Sequence, residues 1–165
     1  MSIELIVLDV DGTMTDGKIT YTQNGDEIKS FCVKDGLAIA SWIRLGKKVA
    51  IITGRSSKIV EKRAKELGIK HFYQGVHNKE EVLQKLLNTL GLSMKNVASM
   101  GDDLNDYSML QASEKAFVPQ NASSYVKTIA DVVLEQRGGD AAVREMIEAL
   151  IQSEKLEEEY LALWL

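Results

Sequence analysis

The stretch Ile6-Val7-Leu8-Asp9-Val10-Asp11-Gly12-Thr13 decides the fold. It begins as a continuous apolar run, which is typical of a strand buried on both faces of a parallel sheet. Alternate residues of an extended chain point to the same side, so Asp9 and Asp11 are expected to face one spot where the strand ends. Two such carboxylates repel each other unless a cation, a shared proton or a ligand compensates. The alternative is a plain Asp-Gly turn.

Composition restricts the class of protein. With 165 residues, of which 45% are apolar, the chain is expected to form one domain over residues 1–165 with a single core. A net charge of −4 argues against a nucleic-acid partner. Cys32 is the only cysteine, which fits a reducing compartment and a packing role for this side chain. We expect no signal peptide and no membrane-spanning segment, and therefore a cytoplasmic protein.

The rest of the chain alternates between strand and helix patterns. Strands are predicted at 3–9, 48–52, 70–74, 97–100, 115–118 and 131–134, and helices at about 34–45, 57–67, 79–90, 105–112, 123–130 and 140–152. This alternation predicts an α/β fold, with a Rossmann-like, mostly parallel sheet and helices on both faces. Asn24-Gly25 within residues 17–31 predicts a protruding β-hairpin. A hairpin is marginal alone, so this one must pack on its own domain or on another subunit.

Polar side chains follow three of the predicted strands, at Asp9, Thr53 and Asp102. The carboxyl ends of parallel strands share one edge of the sheet, so these groups are expected to form a site. Hydrolysis of a phosphate ester needs a nucleophile, a divalent cation on oxygen ligands, groups that hold the phosphoryl oxygens and a proton donor. Carboxylates from Asp9 and Asp102 can hold the cation, while Thr53, Lys79 and Asp11 suit the remaining roles.

Four segments together resemble the motifs of the haloacid dehalogenase-like phosphohydrolases. They are Asp9-Val10-Asp11-Gly12-Thr13, Thr53, Lys79 and Gly101-Asp102-Asp103-Leu104-Asn105-Asp106, in the order that the family requires. Each has a simpler interpretation: Thr53 as a helix-start residue, Lys79 as a solvated lysine, the acids as loop or capping residues. The order and spacing of the full set favour the resemblance.

The resemblance implies a role for each of these residues. Asp9 is the nucleophile, and Asp11 protonates the leaving group and then deprotonates the attacking water. Thr53 and Lys79 hold the phosphoryl group. Magnesium is bound by the Asp9 carboxylate, the Asp11 backbone carbonyl and Asp102. Asp103 and Asp106 orient these ligands.

Many members of this superfamily carry a cap domain that selects the substrate, but this chain has no room for one. About forty residues separate Thr13 from Thr53, and fewer than fifty separate Thr53 from Gly101. The predicted hairpin, helices and strands use them. An uncovered site would admit water and any phosphate ester, so we expect another subunit to cover it.

Further segments resemble the 3-deoxy-D-manno-octulosonate 8-phosphate phosphatases over nearly the entire chain. They are Asp11–Gly17, Phe31–Gly36, Ile51–Arg55, Gln74-Gly75 and Arg137–Glu145. This likeness implies hydrolysis of that sugar-acid phosphate in lipopolysaccharide inner-core synthesis of a Gram-negative bacterium. It also implies a homotetramer, in which the hairpins build a central barrel and a neighbour's tail closes the site.

The family's substrate contacts match a defined set of positions here. They are Cys32, Val33, Lys34, Asp35, Gly36, Arg55, Arg63 and Lys79. Arg55 and Arg63 are eight residues apart on the helix predicted after the second motif, so they are expected to share a face and to bind a carboxylate. A solvated helix face is the alternative for both. Ala40 stands where the family often has an arginine, which weakens the assignment of the substrate.

The C-terminal tail, about residues 153–165, has two interpretations. Leu156, Tyr160 and Leu163 form one apolar stripe at helical spacing, which can pack on the body of the protein or serve in closing a neighbour's site. Gly138-Gly139 is either a turn or a cradle for that tail.

Two other functions compete with the octulosonate phosphatase. A phosphatase for a nine-carbon, sialic-acid-like 9-phosphate would look similar, and Arg55 argues against it while Ala40 argues for it. A non-catalytic oligomerisation module is the second alternative. It is disfavoured because all four motifs keep their reactive side chains.

Overall fold

The computed structural model describes residues 2–165. The strands are β1 (Leu5–Leu8), β2 (Thr20–Tyr21), β3 (Glu27–Ile28), β4 (Lys48–Ile52), β5 (His71–Tyr73), β6 (Val97–Met100), β7 (Lys115–Val118) and β8 (Val132–Val133). The helices are α1 (Val33–Arg44), α2 (Lys58–Glu66), α3 (Lys79–Leu90), α4 (Tyr107–Ala112), α5 (Ser124–Lys127), α6 (Ala142–Ser153) and α7 (Glu157–Ala162).

Six strands form one sheet in the order β5-β4-β1-β6-β7-β8, and every neighbouring pair is parallel. β1 lies between β4 and β6, with Leu8 level with Ile51 on one side and Met100 on the other. The segments after these three strands therefore leave the same edge of the sheet side by side. The predicted α/β class and the predicted parallel sheet are confirmed.

The two faces of β1 enter different cores, which explains its unbroken apolar run. Ile6 and Leu8 pack with α1, α2 and α6, whereas Leu5 and Val7 pack with α3 and α4. Trp42 of α1 is fully buried in the first of these cores. Helices thus cover both faces of the sheet, as the alternating pattern predicts.

The predicted hairpin is present as β2 and β3, which pair antiparallel and form a sheet of their own. Each strand is only two residues long, shorter than the span 17–31 suggests. Among residues 2–165 no domain is inserted between β1 and β6, so the fold has the predicted hairpin and lacks a cap. No helix in this range has the length and apolar composition needed to cross a bilayer.

Several helix ends differ from those predicted, for local reasons. α2 begins at Lys58 because the Ser57 side chain accepts the N–H of Ile59 and caps the helix there. α6 begins at Ala142 because Ala141 has a left-handed backbone with φ of 71°. The tail adds a short helix, α7, in the segment where Leu156, Tyr160 and Leu163 have helical spacing.

Candidate active site

The three predicted strand ends do converge. Asp9 follows β1 directly and its N–H donates to the Met100 carbonyl at 3.0 Å. Carboxylate oxygens of Asp9, Asp102 and Asp106 all lie within 4.8 Å of one another. Thr53 follows β4 at the same edge and is buried. The carboxylates that follow β1 and β6 are therefore neighbours, and Thr53 lies at the same edge of the sheet.

Lys79 lies at the first turn of α3 and is almost fully buried. Its Nζ donates to Asp9 Oδ1 at 2.7 Å and to Asp106 Oδ1 at 2.5 Å. The Asn78 side chain caps α3 by accepting the N–H of Glu81. This cap fixes the start of the helix and therefore the backbone position of Lys79. We call Asp9, Lys79, Asp102 and Asp106 the inner cluster.

Asp106 has a structural and an electrostatic role at once. Its Oδ2 accepts the N–H groups of Asp102 at 2.9 Å and Asp103 at 3.3 Å, while its Oδ1 binds Lys79. These contacts close the loop after β6 and aim Asp102 at the cluster. The Asp106 side chain does not cap α4, contrary to the capping interpretation, and instead holds the backbone on either side of Asp102.

Burial is the largest influence on the acids of the inner cluster. It raises the pKa of Asp9 well above its usual value, and the negative charge of Asp106 adds to this while Lys79 opposes it. Burial likewise raises the pKa of Asp102 to about 6, again with a contribution from Asp106. Crowded carboxylate oxygens around a single lysine are the donor set that a hard divalent cation prefers. The inner cluster therefore fits magnesium.

The loop after β1 needs its glycine. Gly12 has φ of +92°, and a Cβ there would lie 2.0 Å from Asp102 Oδ2. Next to it, Thr13 Oγ1 donates to Asp102 Oδ1 at 3.2 Å. The Asp-Gly pair is thus a turn, as the simpler interpretation holds, and its glycine also makes room for an acid of the site.

The Gly138-Gly139 segment packs directly on that loop. A Cβ on Gly138 would lie 1.9 Å from the Gly12 carbonyl oxygen, and the Gly139 N–H donates to the Thr13 carbonyl at 3.1 Å. Asn121 Oδ1 accepts the Gly138 N–H at 3.0 Å. The sequence predicted this segment as a turn or as a cradle for the tail, and neither prediction included this packing. The contacts support the loop that carries Asp11.

Asp11 lies outside the inner cluster, among charged groups from the hairpin. Lys29 Nζ forms an ion pair with Asp11 Oδ1 and a second one with Glu27 Oε1 at 3.0 Å. Arg55 lies 4.0 Å from Asp11 Oδ2 and 3.5 Å from Glu27 Oε2. We call Asp11, Glu27, Lys29 and Arg55 the outer ring.

Sequence reasoning missed Glu27 and Lys29 as members of the site. Both belong to the predicted hairpin, but a hairpin pattern does not tell which face meets the strand ends. No local signal distinguishes Lys29 from Lys18, the other lysine of this segment. Only the packing of the hairpin over the sheet edge brings these residues to Asp11.

The other predicted substrate residues fall into two groups. Val33 and Lys34 are exposed at the start of α1, with Cys32 half-buried beside them. In contrast, Asp35 is buried and its Oδ1 accepts the Arg144 N–H at 2.9 Å, so it caps α6. Burial raises the pKa of Asp35 to about 6.

Arg55 and Arg63 do not share a helix, which corrects the prediction from their spacing. Arg55 precedes α2, while Arg63 is inside it. The Arg63 guanidinium lies 5.6 Å from the centre of the Phe31 ring and packs so closely on Gly36 that a Cβ there would be 2.4 Å from its Nη2. The ion-pair partner of Arg63 is Glu66, whose carboxylate lies 3.6 Å from the guanidinium.

The tail packs on its own chain. Leu156 packs against the main core and Tyr160 is buried. Arg44 donates to the Leu163 carbonyl at 3.0 Å and lies over the Trp164 ring at 5.0 Å. These contacts match the packing interpretation of the apolar stripe.

Comparison with known proteins agrees with this geometry. The family described as haloacid dehalogenase-like hydrolase matches residues 71–147. The sheet and its inner cluster thus define a hydrolase of the haloacid dehalogenase-like class.

Closer relatives define the family within this class. The 3-deoxy-D-manno-octulosonate 8-phosphate phosphatase KdsC of Escherichia coli strain K12 is 40% identical over 158 residues, which span 95% of this chain and 84% of that protein. The Haemophilus influenzae protein of the same name is 38% identical over 93% of this chain and 85% of its own length. The chain belongs to the family of 3-deoxy-D-manno-octulosonate 8-phosphate phosphatases.

Solved structures show the same relationship. The phosphatase from Moraxella catarrhalis, in complex with magnesium, phosphate and KDO, has a TM-score of 0.95 and 36% identity, covering 99% of this chain and 94% of that one. The cobalt-bound phosphatase of Haemophilus influenzae has a TM-score of 0.89 and 38% identity, covering 93% of this chain and 90% of that one. The family and the phosphomonoesterase class predicted from the motifs are confirmed.

Proposed function

We propose that this protein hydrolyses 3-deoxy-D-manno-octulosonate 8-phosphate to the free sugar acid and phosphate, with magnesium as cofactor, in lipopolysaccharide inner-core synthesis. The observation that carries the proposal is the inner cluster, in a chain that aligns over 95% of its length with phosphatases of that name. A buried lysine between two carboxylates beside Asp102 is suited to phosphoryl chemistry.

Asp9 is the proposed nucleophile. Lys79 binds one of its oxygens at 2.7 Å and so fixes the direction of the carboxylate. Asp9 attacks phosphorus, the bond from phosphorus to the sugar oxygen breaks, and an aspartyl-phosphate forms. Thr53 and the Lys79 ammonium bind the phosphoryl oxygens while negative charge shifts from the Asp9 carboxylate to the leaving sugar oxygen.

Asp11 is the proposed acid and base. It donates a proton to the departing sugar oxygen, then takes one from the water that attacks the aspartyl-phosphate. Phosphate leaves and the Asp9 carboxylate is restored. The outer ring places Asp11 on the solvent side of the inner cluster, where a leaving group would lie.

Asp9, Asp102 and the backbone carbonyl of Asp11 would hold the magnesium ion, which supplies positive charge that screens the anionic phosphoryl group. Asp106 is a poorer ligand because its two oxygens already accept from Lys79, Asp102 and Asp103. Its contribution is to hold Asp102 and Lys79 in place.

The proposed substrate contacts are Cys32, Val33, Lys34, Gly36, Arg55, Arg63 and Lys79. Asp35, also a candidate from the sequence, is buried and accepts the Arg144 N–H, so it is proposed as a helix cap instead. Arg55 has the geometry that best supports carboxylate binding. Its side chain is 45% exposed, and its ring partners lie no closer than 3.5 Å. A substrate carboxylate could offer the guanidinium the paired hydrogen bonds that it lacks in the outer ring.

A homotetramer and a cytoplasmic location complete the proposal. Ile19, Tyr21 and Ile28 of the hairpin are exposed, Tyr21 to 61%. Apolar side chains on so short a hairpin favour burial against other copies of the chain. The single cysteine fits a reducing compartment.

The test is phosphate release by the purified protein, with and without magnesium. The panel holds the octulosonate 8-phosphate, a nonulosonate 9-phosphate, neutral hexose phosphates and 4-nitrophenyl phosphate. We expect magnesium-dependent activity with strong preference for the eight-carbon acid. Preference for the nine-carbon ester would identify Ala40 as a specificity position. The nonulosonate 9-phosphate would then replace the octulosonate 8-phosphate as the proposed substrate. The absence of activity on every ester would overturn the enzymatic proposal.

A further inference from the structure

Lys29 of the hairpin has a buried side chain, which is unusual for a lysine. Its side chain is 1% exposed, and its ammonium lies between the carboxylates of Asp11 and Glu27. Burying a lysine costs free energy that only close, well-placed partners offset. The pairing with Asp11 is the shorter of the two, and it joins the hairpin to the loop that follows β1.

The two oxygens of Asp11 differ in their surroundings. Oδ1 is the partner of Lys29, whereas Oδ2 faces Arg55, whose Nε lies 4.0 Å away, beyond hydrogen-bond length. Binding one oxygen fixes the plane of a carboxylate, because rotation about its terminal torsion would move that oxygen off the ammonium. The other oxygen then points in a defined direction.

Glu27 fixes Lys29 in turn. It lies in β3, two residues before Lys29, and its Oε2 is 3.5 Å from Arg55 Nη2. The outer ring therefore closes: hairpin, catalytic loop and the segment after β4 are joined by four alternating charges. Removing one member leaves the rest with unpaired charge, so the members act together.

We propose that Lys29 is the positioning residue of the proton-transfer step, and that it anchors Asp11 Oδ1 so that Oδ2 transfers the proton to the leaving oxygen. This proposal rests on the proposed function, because it assumes that Asp11 is the general acid. The ion pairs of Lys29 are with Asp11 and Glu27 and with no member of the inner cluster, so it is proposed to act through Asp11 alone.

The consequence is a dependence on the leaving group. An alkyl phosphate releases a strongly basic alkoxide and needs a proton from Asp11, whereas 4-nitrophenyl phosphate releases a stable anion and hardly needs one. kcat/KM reports events up to the departure of the leaving group, so hydrolysis of the aspartyl-phosphate does not enter it. Loss of Lys29 should therefore lower kcat/KM for alkyl esters selectively.

The experiment compares Lys29→Met, Lys29→Arg and Lys18→Met with the natural chain in the presence of magnesium. Lys18 is the matched control, since it lies on the same hairpin, is exposed, and has no ion pair among residues 2–165. Substrates are the preferred sugar phosphate, a simple alkyl phosphate and 4-nitrophenyl phosphate. Thermal melting and the oligomeric state are measured for each variant.

We expect Lys29→Met to lower kcat/KM for both alkyl esters by about ten- to a hundredfold, part of the total contribution of acid–base catalysis, and to change it less than about threefold for the aryl ester. Lys29→Arg should recover most of the loss, and Lys18→Met should behave as the natural chain. Glu27→Gln should give a smaller loss with the same selectivity, which provides a second variant if Lys29→Met does not fold.

Equal losses on alkyl and aryl esters, or no loss on either, would overturn the proposal for Lys29 while leaving the phosphatase function intact. Failure of the proposed function would look different, because the natural chain itself would then release no phosphate from any ester. A selective alkyl loss that arginine does not repair would also overturn the proposal, since it would place the effect in hairpin packing.

Discussion

Asp9 and Asp11 are two residues apart, yet they are held by different parts of the molecule. Asp9 is 3% exposed, and its partner Lys79 starts a helix beside the central strands. Asp11 is 21% exposed at its side chain, and its partners come from the hairpin and from the segment after β4. The inner cluster is fixed by the core of the sheet, whereas the outer ring depends on a two-stranded hairpin.

This difference teaches how a phosphatase without a cap divides its tasks. Groups that meet the phosphoryl oxygens must stay in place, and burial among parallel strands keeps them there. Groups that meet the rest of the substrate lie at the surface, where partners and ligands can replace one another. Substitutions in the inner cluster should therefore abolish chemistry, whereas substitutions of Glu27, Lys29 and Arg55, the outer-ring residues around Asp11, should change selectivity.

The sharpest test of the inner cluster is Asp9→Asn. Loss of the proposed nucleophile should reduce turnover by on the order of 10³-fold or more on every ester. Folding should persist, because the amide can still meet Lys79, so melting and oligomeric state serve as controls. Phosphate release by this variant at the natural rate would show that Asp9 does not form an aspartyl-phosphate.

Gly138→Ala should damage both regions at once, because a Cβ there would meet the Gly12 carbonyl at 1.9 Å. We expect the free energy of unfolding to fall by about 1–3 kcal/mol and turnover to fall on all esters, measured by denaturant unfolding and phosphate release. Gly91→Ala is the control, since its φ of +67° strains an alanine but its surroundings are open. Similar activity losses in both variants would contradict a specific contact with the catalytic loop.

Arg55→Ala addresses the outer ring alone. We expect KM for a sugar-acid phosphate to rise by about ten- to a hundredfold, the loss of a charged, paired hydrogen bond. KM for 4-nitrophenyl phosphate should hardly change, because that ester has no carboxylate. An equal rise for both esters would assign Arg55 to phosphate binding and blur the distinction between the two regions.

Asp35→Asn tests a predicted substrate residue that the structure places as a helix cap. Its pKa is raised from 3.8 to about 6 by burial, so the folded state holds a proton that the unfolded state releases between these values. Stability is therefore lost as pH rises from about 4 to 6. The asparagine should raise the free energy of unfolding by about 2 kcal/mol at pH 7.5, with no gain near pH 4.

The same variant separates capping from substrate binding. The amide oxygen can still accept the Arg144 N–H, so the cap survives. We expect KM for the sugar-acid phosphate to stay unchanged. A raised KM together with unchanged stability would return Asp35 to the substrate-binding set.

The smallest effect is expected from the tail. Trp164→Ala removes a half-exposed ring over Arg44 and should cost about 0.5–1 kcal/mol of unfolding free energy. Turnover should not change if the tail only packs on its own chain. A change in KM without a change in melting would indicate that the tail covers a neighbouring site and would add it to the outer ring.

Sequence alone determined the inner cluster, its order along the chain and the sheet that presents it. An apolar run that ends in acids has few structural solutions, and the parallel strand order brings those ends to one edge. The helix caps at Ser57 and Asn78 were equally local, because each depends on a side chain and the N–H groups that follow it.

Only the tertiary structure decided the outer ring, the burial of Asp35 and the contact between Gly138 and Gly12. Arg55 and Arg63 looked equivalent by spacing, but the helix begins between them. Lys29 resembled any hairpin lysine until the hairpin packed over Asp11. The physical reason is the same in each case: strand ends are aligned by backbone hydrogen bonds that sequence patterns reveal, whereas the meeting of distant surfaces depends on side-chain packing that no local pattern encodes.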